Sequence, residues 1–206
     1  SSKAIEICDD KSLTHLVLSK NNIKTPKTIL CPKSFFGFQE KELSFLSHVS
    51  NELSFPLILK EAFGSFGNEV HLINNKEGLL QKTIELSPKQ ILFQEYIKES
   101  SGKDIRMYIV GGEYVGAVIR ANADDFRANV SSGGTMTDYT PTKDEVEIAK
   151  KSCLAIGLDF AGVDILFGVN GPLICEVNSN AHMKNFYNVT GVDVVKKIFE
   201  HILKNI

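Results

Sequence analysis

Two apolar runs near the C-terminal end, Gly162-Val163-Asp164-Ile165-Leu166-Phe167-Gly168 and Pro172-Leu173-Ile174-Cys175-Glu176-Val177-Asn178, constrain this chain more than any other feature. Each has the length of a buried strand, and Asn170-Gly171 between them supplies the turn of an antiparallel hairpin. Both runs carry oxygen donors where burial penalises them. An unpaired buried carboxylate is costly, so Asp164 and Glu176 must meet a cation, an arginine or a metal. The turn decides which face they share. A three-residue loop Val169-Asn170-Gly171, with Gly171 left-handed, sets Asp164 directly across from Glu176, whereas a two-residue Asn-Gly turn sets them on opposite faces. Glu176 and Asn178 share a face either way, because side chains alternate along a strand. Two carboxylates and an amide oxygen are hard donors that suit Mg2+ bridging phosphates better than zinc. Pairing of Asp164 or Glu176 with Arg106 or Arg120 is the alternative that burial equally allows.

The rest of the chain alternates short helices and strands without a repeat or a low-complexity linker. Helical spacing runs over residues 10–20, where Asp10 can cap, and over 40–51, 76–86 and 192–204. Thr142-Lys143-Asp144-Glu145 spells a capping box, and Gly157 stands where that helix would stop. Strands are expected at 25–30, 56–60, 70–73 and 90–97, with a hairpin of 106–110 and 113–119 around Gly111-Gly112. A break in the pattern near residues 92–97 divides the chain into two α+β lobes, 1–93 and 94–206.

Composition narrows the partners. Lys plus Arg total 23 against 25 Asp plus Glu, a net charge of −2 without basic runs, which argues against nucleic acid and anionic membranes as partners. No apolar run approaches the ~18–20 residues that span a bilayer. Cys8, Cys31, Cys153 and Cys175 form no CxxC pair or Cys/His cluster, so reduced thiols in a cytoplasmic protein are expected. A small molecule or another protein is the expected partner.

Two further segments carry chemistry. Lys60-Glu61-Ala62-Phe63-Gly64-Ser65-Phe66-Gly67-Asn68-Glu69-Val70 is a strand, a glycine loop and a strand. Such a loop lets backbone amides approach phosphate oxygens, and a strand-borne lysine adds fixed charge. It fits neither the P-loop nor the dinucleotide fingerprint. Asp104-Ile105-Arg106, Arg120 and Phe126-Arg127-Ala128-Asn129, followed by Gly133-Gly134, concentrate guanidinium groups that clamp phosphoryl groups or carboxylates bidentately.

Taken in order, Asp10-Lys11, PLILKEAFGSFGNEV, FQEYI, DIRMYIVGG, AVIRANADDFRANVSSGG, FAGVDIL and CEVNSN resemble the ATP-grasp superfamily, specifically RimK-type carboxylate–amine ligases. The resemblance covers nearly the whole chain. It implies two α+β lobes whose antiparallel sheets clasp a nucleotide, and an ATP- and Mg2+-dependent amide-forming activity passing through an acyl phosphate, with Mn2+ able to replace Mg2+. By this resemblance Lys11 and Lys60 contact phosphates, the loop with Gly64, Ser65 and Gly67 closes over them, and Gln94, Glu95, Tyr96 and Ile97 hold adenine. Asp104 takes a ribose or nucleotide contact, Arg120 stabilises the transferred phosphoryl group, Arg127 and Asn129 line the acceptor side, and Asp164, Glu176 and Asn178 hold the metal. The partners implied are ATP, a carboxylate and an amine, the amine being an amino acid or peptide; Cys175 takes no part. A non-catalytic nucleotide-binding module and a ligase acting on peptides or proteins are the alternatives. The family usually carries a further N-terminal domain before the Asp-Lys element, and only nine residues precede Asp10 here, so either the chain is a fragment or a part of the substrate site is expected to be missing. Ser179 to Phe186 replaces the loop usual after the metal residues, so substrate identity does not carry over; His182 and Lys184 are candidates to read a substrate carboxylate or else simply exposed.

Overall fold

The computed structural model describes residues 1–32, 43–64, 67, 69–130 and 133–205. Chain contacts divide it into two units, residues 10–12 with 26–96, and residues 1–9 and 13–25 with 97–206. A division in chain order at residue 93 therefore differs from the contacts at residues 94–96, which stay with the smaller unit, and in the first 25 residues, most of which pack with the C-terminal half.

The smaller unit holds β1 (Thr28–Leu30), α3 (Leu43–Leu53), β2 (Leu57–Glu61), β3 (Val70–Ile73), α4 (Lys76–Leu86) and β4 (Ile91–Glu95). Its four strands lie antiparallel in the order β1-β4-β2-β3. Leu57, Leu59, Ile73, Ile91 and Phe93 turn one sheet face toward Leu46, Val49 and Leu53 of α3 and Leu79 and Leu86 of α4. Alternation sends Ile58, Lys60, Leu92 and Gln94 to the other face.

The larger unit takes α1 (Ser2–Asp9), most of α2 (Lys11–Lys20), β5 (Lys103–Val110), β6 (Glu113–Ala121), β7 (Thr135–Asp138), α5 (Lys143–Ile156), β8 (Phe160–Gly168), β9 (Gly171–Asn178), α6 (Lys184–Thr190) and α7 (Val194–Lys204). Its sheet runs β7-β6-β5-β8-β9, antiparallel throughout. One face packs Ile105, Met107, Ile109, Val163, Ile165, Ile174 and Val177 against Ala149, Cys153 and Ile156 of α5 and against Ala4, Cys8, Leu18 and Ile23. Burial there pushes the Cys8 and Cys153 thiols up to about 12, so they behave as core apolar groups.

Local signals place the helices. Both halves of the Thr142/Glu145 capping box are formed, and Gly157 ends α5 with a left-handed φ of 82°. Asn75 and Asp193 cap α4 and α7. Helix α1, strand β7 and helix α6 were not expected from the sequence pattern. Each is short, and only two residues of α1, one of α6 and none of β7 are buried, so apolar periodicity has too few positions to register. Residues 40–42 of the expected third helix lie outside the described residues.

Candidate functional site

On β5, Ile105, Met107 and Ile109 enter the core, which leaves Asp104, Arg106 and Tyr108 on the opposite face. Register extends that face across four strands. Asp104 lies opposite Arg120 of β6, Arg106 opposite Asp164 of β8, and Asp164 opposite Glu176 of β9. Asn178 sits opposite Gly162, two positions along from Glu176.

Asp164 and Glu176 oppose each other, yet the turn is the two-residue one that by itself would set them on opposite faces. The hairpin closes with Gly168 opposite Gly171, which has a φ of 102°, and pairs regularly as far as Ile165 and Ile174. The register then shifts by one, so Cys175 is an extra residue, a β-bulge, before Asp164 meets Glu176. Gly162 makes room beside them. A Cβ at Gly162 would stand 2.4 Å from the Cβ of Ala181, so only glycine admits the returning segment that follows Asn178.

The charges on this face are paired. Arg106 donates from Nε to Asp164 Oδ1 at 2.7 Å and from Nη2 to Oδ2 at 2.6 Å. Arg120 forks onto Asp104, with Nε to Oδ1 at 2.7 Å and Nη2 to Oδ2 at 2.6 Å, and its Nη2 also reaches Asp164 Oδ2 at 2.9 Å. Asp104, Arg120 and Asp164 are all buried. Burial drives the Asp164 carboxyl upward, but Arg106 and Arg120 outweigh it and hold the group below the usual carboxylate range. Desolvation lowers the affinity of Arg120 for its proton; the flanking Asp164 and Asp104 more than reverse that, and the side chain is firmly cationic. The arginine pairing weighed as an alternative is thus realised for Asp164.

A hard cation still fits the donor set. A carboxylate offers about four acceptor positions, and three of those on Asp164 are used, two of them on Oδ2. Oδ1 takes one of these contacts and Oδ2 two, so among the described residues the fourth position is on Oδ1. Asn178 Nδ2 is buried with no hydrogen-bond partner among the described residues. Turning that amide over presents Oδ1 instead, a ligand for which a cation is the natural partner. Among the described residues no group of three or more His, Cys, Asp or Glu forms a metal cluster, so the set depends on the amide.

In the smaller unit Lys60 is buried on β2 and donates to Gln94 Oε1 at 2.7 Å, while Gln94 Nε2 donates to Thr28 Oγ1 at 2.9 Å. Lys11 Nζ donates to the Gly64 carbonyl at 2.7 Å, and its backbone N–H to the Ala62 carbonyl at 2.9 Å. Gly64 and Gly67 have φ values of 121° and 75°, open only to glycine without strain. Ser65 lies outside the described residues. Lys11, Lys60, Gly64 and Gln94 therefore gather around β2, β4 and the glycine loop. Glu95 N–H donates to the Lys27 carbonyl at 2.9 Å, its carboxylate accepts from Lys27 N–H at 2.8 Å, and the Ile97 carbonyl accepts from Ser100 N–H at 3.0 Å. These groups of the Gln94–Ile97 segment are already engaged within the protein. Tyr96 ends the smaller unit and Ile97 begins the return to the larger one.

Arg127 folds back on its own loop, with Nη2 2.7 Å from Asp125 Oδ2, and the Asn129 carbonyl accepts from Gly134 N–H at 3.3 Å. Sequence reasoning named Arg106 only as an alternative ion-pair partner and one of several possible clamps, and gave Tyr108 no role; both share the Asp164 face. The signal was present: DIRMY alternates polar and apolar, so an acid, an arginine and a tyrosine must fall on one side. Tyr108 donates to the His182 carbonyl at 2.6 Å and its ring packs 4.5 Å from that of Phe186, tilted by 54°, anchoring the segment after Asn178.

The RimK-like ATP-grasp domain family matches residues 8–202. An uncharacterized protein of Mycoplasma pneumoniae, the MG012 homolog, is 35% identical over 187 residues, 89% of this chain and 65% of its own. A probable alpha-L-glutamate ligase of Vibrio atlanticus is 36% identical over 208 residues, 99% of this chain and 66% of its own. The chain thus spans just under two thirds of the length of these relatives. Among solved structures, ATP-grasp ligase PsnB with a minimal precursor variant, Mg and ADP superposes with a TM-score of 0.75 at 16% identity, over 99% of this chain and 61% of that one. D-alanine–D-alanine ligase from Bacillus anthracis with ATP gives 0.75 at 19% identity, over 98% and 68%. Those two show the fold. With two antiparallel α+β units and a family match over nearly all of its length, the chain belongs to the RimK-like ATP-grasp family.

Proposed function

We propose that this domain joins a carboxylate to an amine at the expense of ATP. The observation that carries the reading is the Asp164–Glu176 pair in register on one sheet face, with Arg120 fixed beside it by Asp104. Lys11 and Lys60 take the nucleotide phosphates, the backbone of the Gly64–Gly67 loop covers them, and the Gln94–Ile97 segment edges the adenine. A carboxylate oxygen of the substrate attacks the γ-phosphorus, ADP leaves, and an acyl phosphate forms. The amine then attacks the acyl carbon, phosphate departs, and the amine nitrogen loses its extra proton. Arg120 stabilises negative charge on the moving phosphoryl group, and Arg127 and Asn129 line the acceptor side. Asp104 acts through Arg120. Asp164, Glu176 and Asn178 hold Mg2+, which when bound supplies Lewis-acid neutralisation of phosphate charge. No side chain serves as nucleophile, in keeping with catalysis by positioning and charge.

The test is release of ADP and phosphate from ATP with Mg2+ and mixed amino acids, L-glutamate first because named relatives are probable alpha-L-glutamate ligases. Asp164→Asn should lower amino-acid-dependent turnover by roughly 10³-fold. Mass spectrometry of the products separates free amino acid from peptide acceptors. Nucleotide binding with no turnover that depends on an acceptor would point to a non-catalytic module instead.

A further inference from the structure

We propose that Arg106 guards the metal position: its guanidinium holds the Asp164 oxygens a divalent cation needs, so that metal enters only together with nucleotide phosphates. This rests on the reading that Asp164, Glu176 and Asn178 are the metal ligands. The two arginines on this face are not equivalent. Arg120 is forked onto Asp104 and touches Asp164 through a single bond at 2.9 Å, so it stays in place whatever Asp164 does. Arg106 has Asp164 as its one carboxylate partner among the described residues, bound through both oxygens at 2.6 and 2.7 Å. Its side chain is also the more exposed, 15% against 6% for Arg120. It is the arginine able to let go.

Charge points the same way. Asp104, Asp164 and Glu176 against Arg106 and Arg120 leave a single net negative charge on the face, too little to draw a doubly charged ion past two guanidinium groups in a low-dielectric setting. Nucleotide phosphates add several negative charges and tip the competition for Asp164 toward the metal. Removing the Arg106 charge would have a similar effect without nucleotide, since it also frees the second position on Oδ1.

Mn2+ titration followed by electron paramagnetic resonance reads metal occupancy directly, independent of turnover. The wild-type protein should bind Mn2+ at least about tenfold more tightly with ADP than without it. Arg106→Gln should bind Mn2+ without nucleotide at least about tenfold more tightly than wild type, a gain that a merely structural role for Arg106 would not produce. If the Gln variant fails to give a cooperative melt, Arg106→Lys decides the question. It keeps the charge but loses the fork, and tightening of about threefold or more without ADP is expected. Equal wild-type affinity with and without ADP, or no tightening in the folded Arg106 variants, overturns the guard. An Asp164→Asn protein that keeps its ADP-dependent Mn2+ site overturns the metal assignment itself, a separable failure.

Discussion

Asp164 is buried among charges, and its cost is met by two arginines from neighbouring strands. The sequence left its partner undecided between arginine and metal because pairing depends on register, and strand pattern alone does not fix register. Strand alternation also carries the face that Asp104, Arg106 and Tyr108 share, but the strand was expected to begin at Arg106, and that face went unread. Why Arg120 leans on Asp104 more than on Asp164 follows from the β5–β6 pairing, in which Asp104 lies directly opposite. Replacing Asp104 with Asn removes one side of a buried bidentate pair and leaves Arg120 with the single contact to Asp164. The expected loss is about 3 kcal/mol of folding free energy, measured by urea unfolding at neutral pH. A loss below about 1 kcal/mol would mean that Asp164 suffices to hold Arg120.

The β8–β9 hairpin shows what an element-level reading captures and what it misses. Two strands and a glycine turn were legible, because apolar run length and Asn-Gly carry them, whereas the opposition of the carboxylates was left to a turn length that the sequence did not decide. The bulge at Cys175 was not legible, since it leaves no residue-type signature and the turn offered a competing account of the same outcome. The two accounts differ in consequence. If the bulge brings Glu176 opposite Asp164, deleting Cys175 leaves the chain able to pair Ile165 with Ile174, Asp164 with Glu176 and Val163 with Val177 in unbroken register. Such a protein should fold, with stability changed by less than about 2 kcal/mol by urea titration. Its strand would lose the local bend that aims the Glu176 carboxylate, and small misplacements of this kind cost about 10²-fold in rate. Acceptor-dependent phosphate release should fall by that factor. Undiminished release would assign the bulge to pairing alone, and failure to fold would contradict the register.

At the scale of the whole chain, sequence order conceals how the larger unit is built. Helices and strands succeed one another so evenly that a cut near residue 93 follows naturally, yet Ala4, Cys8, Leu18 and Ile23 complete the same core as Ile105, Val163 and Ile174. The N-terminal segment also protects an edge: Ile174 N–H on the outer strand β9 donates to the Lys24 carbonyl at 2.9 Å, beside the bulge. Full burial of Leu18 and Ile23 alone contributes about 2 kcal/mol each, against the ~5–15 kcal/mol that holds a domain together. Residues 97–206 expressed without residues 1–25 therefore lack a large share of their stability, expose the apolar side of α5 and the sheet, and leave β9 unpaired along its outer side. That fragment should show no cooperative urea transition and poor amide dispersion in NMR spectra. Joining residues 1–25 to residue 97 through a flexible glycine-serine linker should restore both. A cooperative transition of the same midpoint in the two proteins would mean that the N-terminal helices only decorate a core already sufficient in itself.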